Sequence, residues 1–352
     1  MSASLLKKLW FGHLYLGVTL ALPLLIIAAS GIMLSFYDEL RYAAPPYRLA
    51  APVHQPLNAN ALAETVQRHF PGHRLEVLFL PRAPEHSARA KLAGPEPILV
   101  FIHPSTAAIL AVQNSSQLDE LEWLRELHRG SIFGLPGKIL ASVAGLGVLL
   151  VWLIGLCFWI RRNKTAKWQG RQKGRVKIHR LTGLLLGGPI AGLASLGALL
   201  NFAGPLMQRL DPPPALTASL STEGQSAQPL SSLVDILAKS YRTAPLERIY
   251  FPTTPNEPWR FRFMDGGWGF MNGQDGTVVK LKTPYSHWTM LLYPLHSGKL
   301  LGVYSHWVSA FGGLGLLFLI GSGLRQGWSI IKLQRKNLFR LALFPHTISK
   351  RS

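Results

Sequence analysis

The chain has 352 residues, only 15% of them charged, and a mean hydropathy of +0.19. An ordinary soluble domain is about one-quarter charged, so the composition argues against a purely soluble protein and predicts membrane spans joined to polar segments. The formal net charge of +20 would suit a nucleic-acid partner, but the basic residues concentrate at span ends, so no nucleic-acid partner is expected.

Lys7 and Lys8 precede the first apolar stretch, Leu9 to Phe36. Crossing about 30 Å of hydrocarbon takes roughly 20 helical residues. This stretch exceeds the apolar core of a signal peptide and is read as a span within residues 1–40. The polar segment 41–135 reads as a small α+β domain, with a helix from Asn58 to Phe70, a strand from Leu75 to Leu80, and an apolar run from Ile98 to Leu110 turning at Ser105-Thr106. A second span, Ile139 to Ile160, lies within 136–162, and the basic stretch Arg161 to Arg180 contains the loop 163–178. The third span, Leu181 to Met207, lies within 179–209.

The segment 210–300 then repeats the α+β pattern, with Leu230 to Tyr241, Arg248 to Phe251, Trp259 to Phe263, and Gly269 to Val279 turning at Asp275-Gly276, a hairpin signal. The fourth span, Trp307 to Leu324, lies within 301–333, and Lys332, Arg335, Lys336 and Arg340 lead into the tail 334–352. The last three apolar cores contain no Asp, Glu, Lys, Arg or His. All three basic clusters fall on one side if the spans alternate, which places both termini and the central loop in the cytoplasm against anionic lipid. The only cysteine, Cys157, lies inside the second span, so disulfides and thiolate metal centres are excluded.

The chain also repeats internally. A shift of 166 lays His13 on His179, Gly17 on Gly183, Pro23 on Pro189 and Gly31 on Gly197. A shift of 168 lays Leu127-His128 on Leu295-His296, Gly130 on Gly298, Gly134 on Gly302, and Gly145-Leu146-Gly147 on Gly313-Leu314-Gly315. Leucine matches in apolar segments arise easily, whereas coincident His, Pro and Gly do not. The expected fold is therefore a membrane α-helical protein with four transmembrane helices in two tandem pseudo-symmetric repeats. Each repeat holds a small α+β domain, and a pseudo-twofold axis runs along the membrane normal.

The symmetry pairs the histidines. His13 and His179 lie within about one turn of the cytoplasmic ends of their spans, at one depth, and His128 and His296 do the same on the other side. Haem iron takes two facing axial ligands, and neutral imidazole is a usual choice. Each pair is thus a candidate bis-imidazole haem site. His306 is a further candidate ligand, although its counterpart in the first copy is Lys138. His54, His69, His73, His86, His103 and His287 lack metal-ligand spacing, and His346 lies in the tail.

No Walker loop, HExxH or strand-bound GxGxxG is present, so no nicotinamide or flavin site is visible and electrons must come from a separate donor. Trp259, Trp268, Phe270, Tyr285, Trp288 and Tyr293 crowd the second polar segment, as core and interface residues or as a platform for a bulky ligand. Arg260 and Arg262 alternate with Trp259, Phe261 and Phe263, so they form the charged face of a strand able to attract anions.

The order span, α+β domain, span, repeated once, with a histidine near the start of spans one and three and LHxG ahead of spans two and four, resembles the PepSY-associated transmembrane (PepSY-TM) family over nearly the whole chain. Members include inner-membrane ferric-siderophore reductases of Gram-negative bacteria that bind b-type haem. The resemblance implies PepSY-like domains in the periplasm, two haems b held by His13, His179, His128 and His296, a ferric siderophore as substrate, and a cytoplasmic or membrane electron donor. The alternative is a non-catalytic PepSY membrane protein that binds or inhibits a periplasmic partner. A transporter fits less well, because the spans lack the charges that mark an ion path. The topology predicts that a phosphatase reporter fused at Arg171 is inactive and one fused within 41–135 or 210–300 is active; an active Arg171 fusion would invert the assignment.

Overall fold

The computed structural model describes residues 3–43, 46–50, 58–117, 119–163, 174–216, 228–254 and 256–343. His54, His346 and the middle of the basic loop lie outside the described residues. In chain order the elements are α1 (Ala3–Ser35), α2 (Tyr37–Ala43), α3 (Ala59–His69), β1 (Arg74–Phe79), β2 (Ala88–Ala93), β3 (Ile98–Ile102), β4 (Ile109–Asn114), α4 (Glu120–Arg129) and α5 (Gly134–Asn163). They continue with α6 (Gly174–Leu185), α7 (Gly187–Leu200), α8 (Ala203–Leu210), α9 (Leu230–Ser240), β5 (Leu246–Tyr250), β6 (Trp259–Phe263), β7 (Trp268–Met271), β8 (Val278–Lys282), α10 (Trp288–His296) and α11 (Ser305–Leu343). Two compact units result: residues 1–35, 123–202 and 292–352 form a helical unit, and residues 36–122 and 203–291 form a sheet unit.

In the helical unit, three helices among the described residues are long and apolar enough to cross a membrane: Ser4–Ser35, Ser131–Arg161 and Ser305–Ser329. The third expected span is not one straight helix. It consists of α6 and α7, with a 56° bend between Ile178–Leu185 and Gly187–Leu200. Pro189 cannot donate to the preceding turn, yet its counterpart Pro23 sits inside the unbroken α1. The difference lies just upstream, where α1 has Ala21-Leu22 and α7 has Gly187-Gly188. Trp152 of α5 occupies the space this leaves. A Cβ at Gly187 would stand 2.4 Å from the Trp152 ring, and Trp152 Nε1 donates to the Gly183 carbonyl at 3.2 Å. A side chain inserted at a glycine pair is a recognised cause of helix kinks. Leu20, Leu24, Ala144, Val148, Ile190 and Ala191 form the buried centre of this unit.

The approaches to α5 and α11 are interrupted, as their glycines predict. Gly130 (φ 74°) ends α4 and Gly134 (φ 65°) starts α5, while Gly298 (φ 69°) and Gly302 (φ 57°) lie in the connection between α10 and α11. A positive φ is open to glycine and strained for other residues, so these four positions fix two matching short turns. The last helix runs on through residues 334–343, beyond the span boundary expected at 333.

The sheet unit corrects the expectation of two separate α+β domains. Its strands form one antiparallel eight-stranded sheet in the order β4-β3-β2-β1-β5-β6-β7-β8. The two halves join where Val77, Leu78 and Phe79 of β1 pair with Tyr250, Ile249 and Arg248 of β5. Exposed strand edges invite pairing, and here each half covers the other's edge. Strand β2 was not anticipated from the sequence. Its Ala-Arg-Ala-Lys-Leu-Ala run has low β propensity, but Ala88, Ala90 and Leu92 alternate inward and are fully buried, a period-two signal that small alanines obscure.

A single core lies beneath α3 and α9. Leu62 and Val66 of α3 and Leu233 and Leu237 of α9 pack on Leu78, Val100, Ile249, Phe261 and Met271. Asn58 caps α3, accepting from the Ala61 N–H at 2.9 Å, one turn after the cap as expected for such residues.

The buried Glu247 is the principal counter-charge near the central seam, hydrogen-bonded by Arg82 and, at 3.0 Å, by Arg248. Burial raises its pKa, but Arg248 and Arg82 more than offset this and hold it below the ordinary glutamate range. A depressed carboxylate stabilises the fold above its unfolded pKa, and that contribution is lost as pH falls through the folded value. Glu247→Gln should therefore cost about 2 kcal/mol at pH 7. This is less than a fully buried pair because both arginines are about one-third exposed. The deficit should shrink as pH is lowered through the folded carboxyl's titration, as read from denaturant melts of both proteins across the acid range, and a deficit that does not change with pH would remove the ion pair as its cause.

Candidate functional site

All four candidate histidines lie in the helical unit, and they meet in the two expected pairs. The His13 and His179 ring centroids are 6.5 Å apart, and those of His128 and His296 are 6.2 Å apart. His306 is not in either pair; it opens α11, with its ring 5.4 Å from that of Trp307.

Each histidine is held through Nδ1 by a neighbouring helix. His13 Nδ1 lies 3.0 Å from the Val151 carbonyl, His128 Nδ1 2.9 Å from that of Ile27, and His296 Nδ1 2.8 Å from that of Leu193. A carbonyl only accepts, so Nδ1 must carry the proton and Nε2 the free lone pair. His179 reaches the same state through a hydroxyl. Its Nδ1 is 2.7 Å from Ser322 Oγ, and that oxygen's proton is taken by the carbonyls of Phe318 at 2.7 Å and Leu319 at 3.2 Å. Ser30 Oγ adds a contact to His128 Nδ1 at 3.2 Å. Among the described residues, none of the four Nε2 atoms has a hydrogen-bond partner.

A glycine underlies each ring. A Cβ on Gly31 would stand 2.9 Å from His128 Cε1, one on Gly197 2.7 Å from His296 Cε1, one on Gly155 3.1 Å from His13 Cε1, and one on Gly323 3.4 Å from His179 Cε1. The positions follow a rule. Gly31, Gly155 and Gly197 each lie four residues after the carbonyl that receives the Nδ1 proton, and Gly323 lies four after Leu319. In a helix the carbonyl of residue i points at residue i+4, so a side chain there would block an imidazole from reaching that carbonyl. The sequence match at shift 166 already singled out Gly31 and Gly197. Gly155 and Gly323 likewise match each other at shift 168.

The donor set can be tested against haem b. Two imidazoles on one iron at about 2 Å each have ring centroids about 6.3 Å apart, and both pairs fall within 0.2 Å of that value. With Nδ1 protonated and Nε2 free, the residues present fit axial ligation. Along α1, His13 and the Ile27–Gly31 ledge that seats His128 are 14 to 18 residues apart, so the two pairs lie about 21 to 27 Å apart along the helix.

The remaining histidines have local roles. His69 Nδ1 bonds the Thr65 carbonyl at 2.8 Å, His73 Nε2 the Glu96 carbonyl at 2.9 Å, and His287 Nδ1 lies 2.7 Å from Thr289 Oγ1. His103 Nδ1 accepts from Ser105 N–H in the β3–β4 turn, and His86 stacks on Tyr42 at 3.4 Å. No group of three or more His, Cys, Asp or Glu able to hold a bare metal ion occurs among the described residues.

Trp152 sits between the two pairs at the α6–α7 bend. Trp152→Ala should cost about 2–3 kcal/mol, below the full value for a buried Trp because the ring is only partly enclosed. The check is the thermal midpoint of the detergent-solubilised protein, with Trp152→Phe recovering most of the loss; an unchanged midpoint in Trp152→Ala would show that the bend does not depend on this ring.

The family model described as PepSY-associated TM region matches residues 10–329. No curated protein matches the chain.

Proposed function

The chain belongs to the PepSY-associated TM region family, and from that membership together with the two histidine pairs we propose a di-haem b-type reductase of the bacterial inner membrane. It carries electrons from a cytoplasmic or membrane donor to a ferric siderophore in the periplasm, which is released as Fe(II). The proposal includes four spans in two tandem repeats, with α6 and α7 together forming the third, both termini in the cytoplasm, and the sheet unit in the periplasm. The observation that carries the reading is the fourfold recurrence of one arrangement: an Nδ1-anchored imidazole on a glycine, facing a second imidazole at the spacing two axial ligands require.

Bound haem b supplies reversible one-electron chemistry at iron. The chain's own contribution is to fix ring orientation and tautomer before any ligand arrives. A hydrogen bond from Nδ1 to a backbone carbonyl makes the imidazole a stronger donor at Nε2 and fixes its plane. The apolar centre around Leu20, Leu24, Val148 and Ile190 keeps water from the space between the two pairs. Reduction releases iron because Fe(II) binds hard oxygen donors more weakly than Fe(III).

Substitution separates the pairs. His13→Ala or His179→Ala should remove one haem and about half the Soret absorbance per protein, as should His128→Ala or His296→Ala, whereas His306→Ala keeps both. With the native protein reduced by dithionite, ferric siderophore should reoxidise it and a ferrous chelator should report Fe(II). The His128→Ala and His296→Ala variants should lose this reaction even where the inner pair still reduces. Native protein without a Soret band would overturn the reading in favour of a non-catalytic PepSY protein that binds a periplasmic partner.

A further inference from the structure

The sheet unit has one face committed to its core and one that is chemically unlike it. The strand registers align one row across the sheet: Arg89, Phe79, Arg248, Arg262, Trp268 and Lys282, each directly opposite the next. Two residues along, Tyr250, Arg260 and Phe270 are likewise opposed on the same face. Between these rows runs the apolar row that packs beneath α3 and α9.

The cations lie over aromatic rings. Arg260 is 5.1 Å from the Tyr250 centroid, Arg262 4.8 Å from that of Trp268, and Arg89 and Arg248 are 4.7 and 5.3 Å from that of Phe79. Lys282 and Lys280 at the far edge share Asp211, and Arg248 shares Glu247 with Arg82. Among the described residues, Arg89, Arg260 and Arg262 have no carboxylate within salt-bridge distance. Arg248 and Arg262 stand directly opposite each other, a like-charge pairing that destabilises a sheet. Burial is the largest influence on the Arg262 guanidinium and, with Arg248, holds it below its ordinary value, while Glu247 favours its charged form. With one buried carboxylate, Glu247, near Arg248 and none within salt-bridge distance of Arg89, Arg260 or Arg262 among the described residues, the face carries more positive than negative charge, which favours an anionic ligand.

We propose that this face, centred on Arg260, Arg262, Tyr250 and Trp268, binds the ferric chelate, and that it selects multiply anionic chelates with aromatic ligand arms, of the tris-catecholate class, over neutral hydroxamate chelates. The inference rests on the preceding reading that a ferric siderophore is the electron acceptor. The charge argument selects the anion, and the half-buried rings of Tyr250 and Trp268 beside the exposed Arg260 offer aromatic surface on which flat arms can pack. From Phe79 to Trp268 the patch crosses three strand spacings, about 14 Å, wide enough for several arms to be held at once.

The test uses redox-inert gallium(III), so that binding is read independently of haem. Full-length protein in neutral detergent is titrated with the gallium(III) complex of a hexadentate tris-catecholate, charge −3, and with that of a hexadentate tris-hydroxamate, charge 0, following tryptophan fluorescence and calorimetry. The trianion should bind at least tenfold tighter at about 50 mM salt, with the gap closing at about 1 M, where the Debye length is near 3 Å. Arg262→Gln and the exposed Arg260→Gln should each weaken the trianion at least fivefold and leave the neutral complex unchanged. The thermal midpoint of Arg262→Gln should stay close to that of the parent, which separates lost binding from lost folding.

Equal affinity for the two complexes, or trianion binding unmoved in Arg260→Gln, overturns the proposal. So does arginine-dependent binding of phosphatidylglycerol micelles with none of the gallium trianion, which would make this a lipid-contacting face. Protein without haem that still shows the charge preference would sink the reductase reading alone. Protein that carries both haems and reduces neutral chelates without the preference would sink this inference alone.

Discussion

A hydrogen bond from imidazole Nδ1 to the backbone of a neighbouring helix underlies the arrangement of the helical unit. Within an apolar bundle an N–H left without an acceptor costs several kcal/mol, and a span offers few side-chain acceptors. A helical carbonyl already accepts from residue i+4 but keeps a second lone pair, so an imidazole can use it if nothing stands in the way. Glycine at i+4 clears the approach, and the Val151–Gly155, Ile27–Gly31 and Leu193–Gly197 pairs all meet that condition. The approaches of α1 to α5, of α4 to α1 and of α10 to α7 go with these bonds, because the elements must come close enough for a ring on one to reach the backbone of another.

The internal repeat in the sequence made the pairing of His13 with His179 and of His128 with His296 legible, because residues that match at one shift end up facing each other. It also gave the glycine breaks ahead of α5 and α11, where positive φ leaves little choice of residue. The ledges that orient the rings were not legible, since a carbonyl has no sequence signature and the glycine four residues on is one of many in these spans. The bend between α6 and α7 was hidden for a related reason. Pro23 and Pro189 are equivalent in sequence, and the kinked helix differs in having Gly187-Gly188 upstream with Trp152 of α5 packed against that pair.

In the sheet unit, alternation located most strands but could not say which strands would meet. Pairing across β1 and β5 joins segments more than 150 residues apart, and it depends on edges that no local pattern describes. Once the registers are fixed, the alternation of β6 takes on more meaning than it had alone. Trp259, Phe261 and Phe263 enter the core side with Leu233 and Leu237, while Arg260 and Arg262 join cations from β2 and β5 on the opposite side. Trp259 thus leaves the group of aromatic residues that the sequence placed together, and Trp268 and Phe270 remain with the arginines.

The departures from equivalence are as informative as the matches. The carbonyl that anchors His13 is replaced for His179 by Ser322, a hydroxyl passing the same bond to Phe318 and Leu319, so the geometry is kept while its means change. In the sheet the two halves diverge further. Phe101 of the first half is fully buried and packed against Tyr47, and Arg41 and Arg48 beside it are tied to Asp119 and Glu122. The corresponding face of the second half keeps Arg260 and Trp268 accessible and has fewer carboxylates near them. The first half thus meets its cations with its own carboxylates, whereas Arg260 and Arg262 of the second half have none within salt-bridge distance among the described residues.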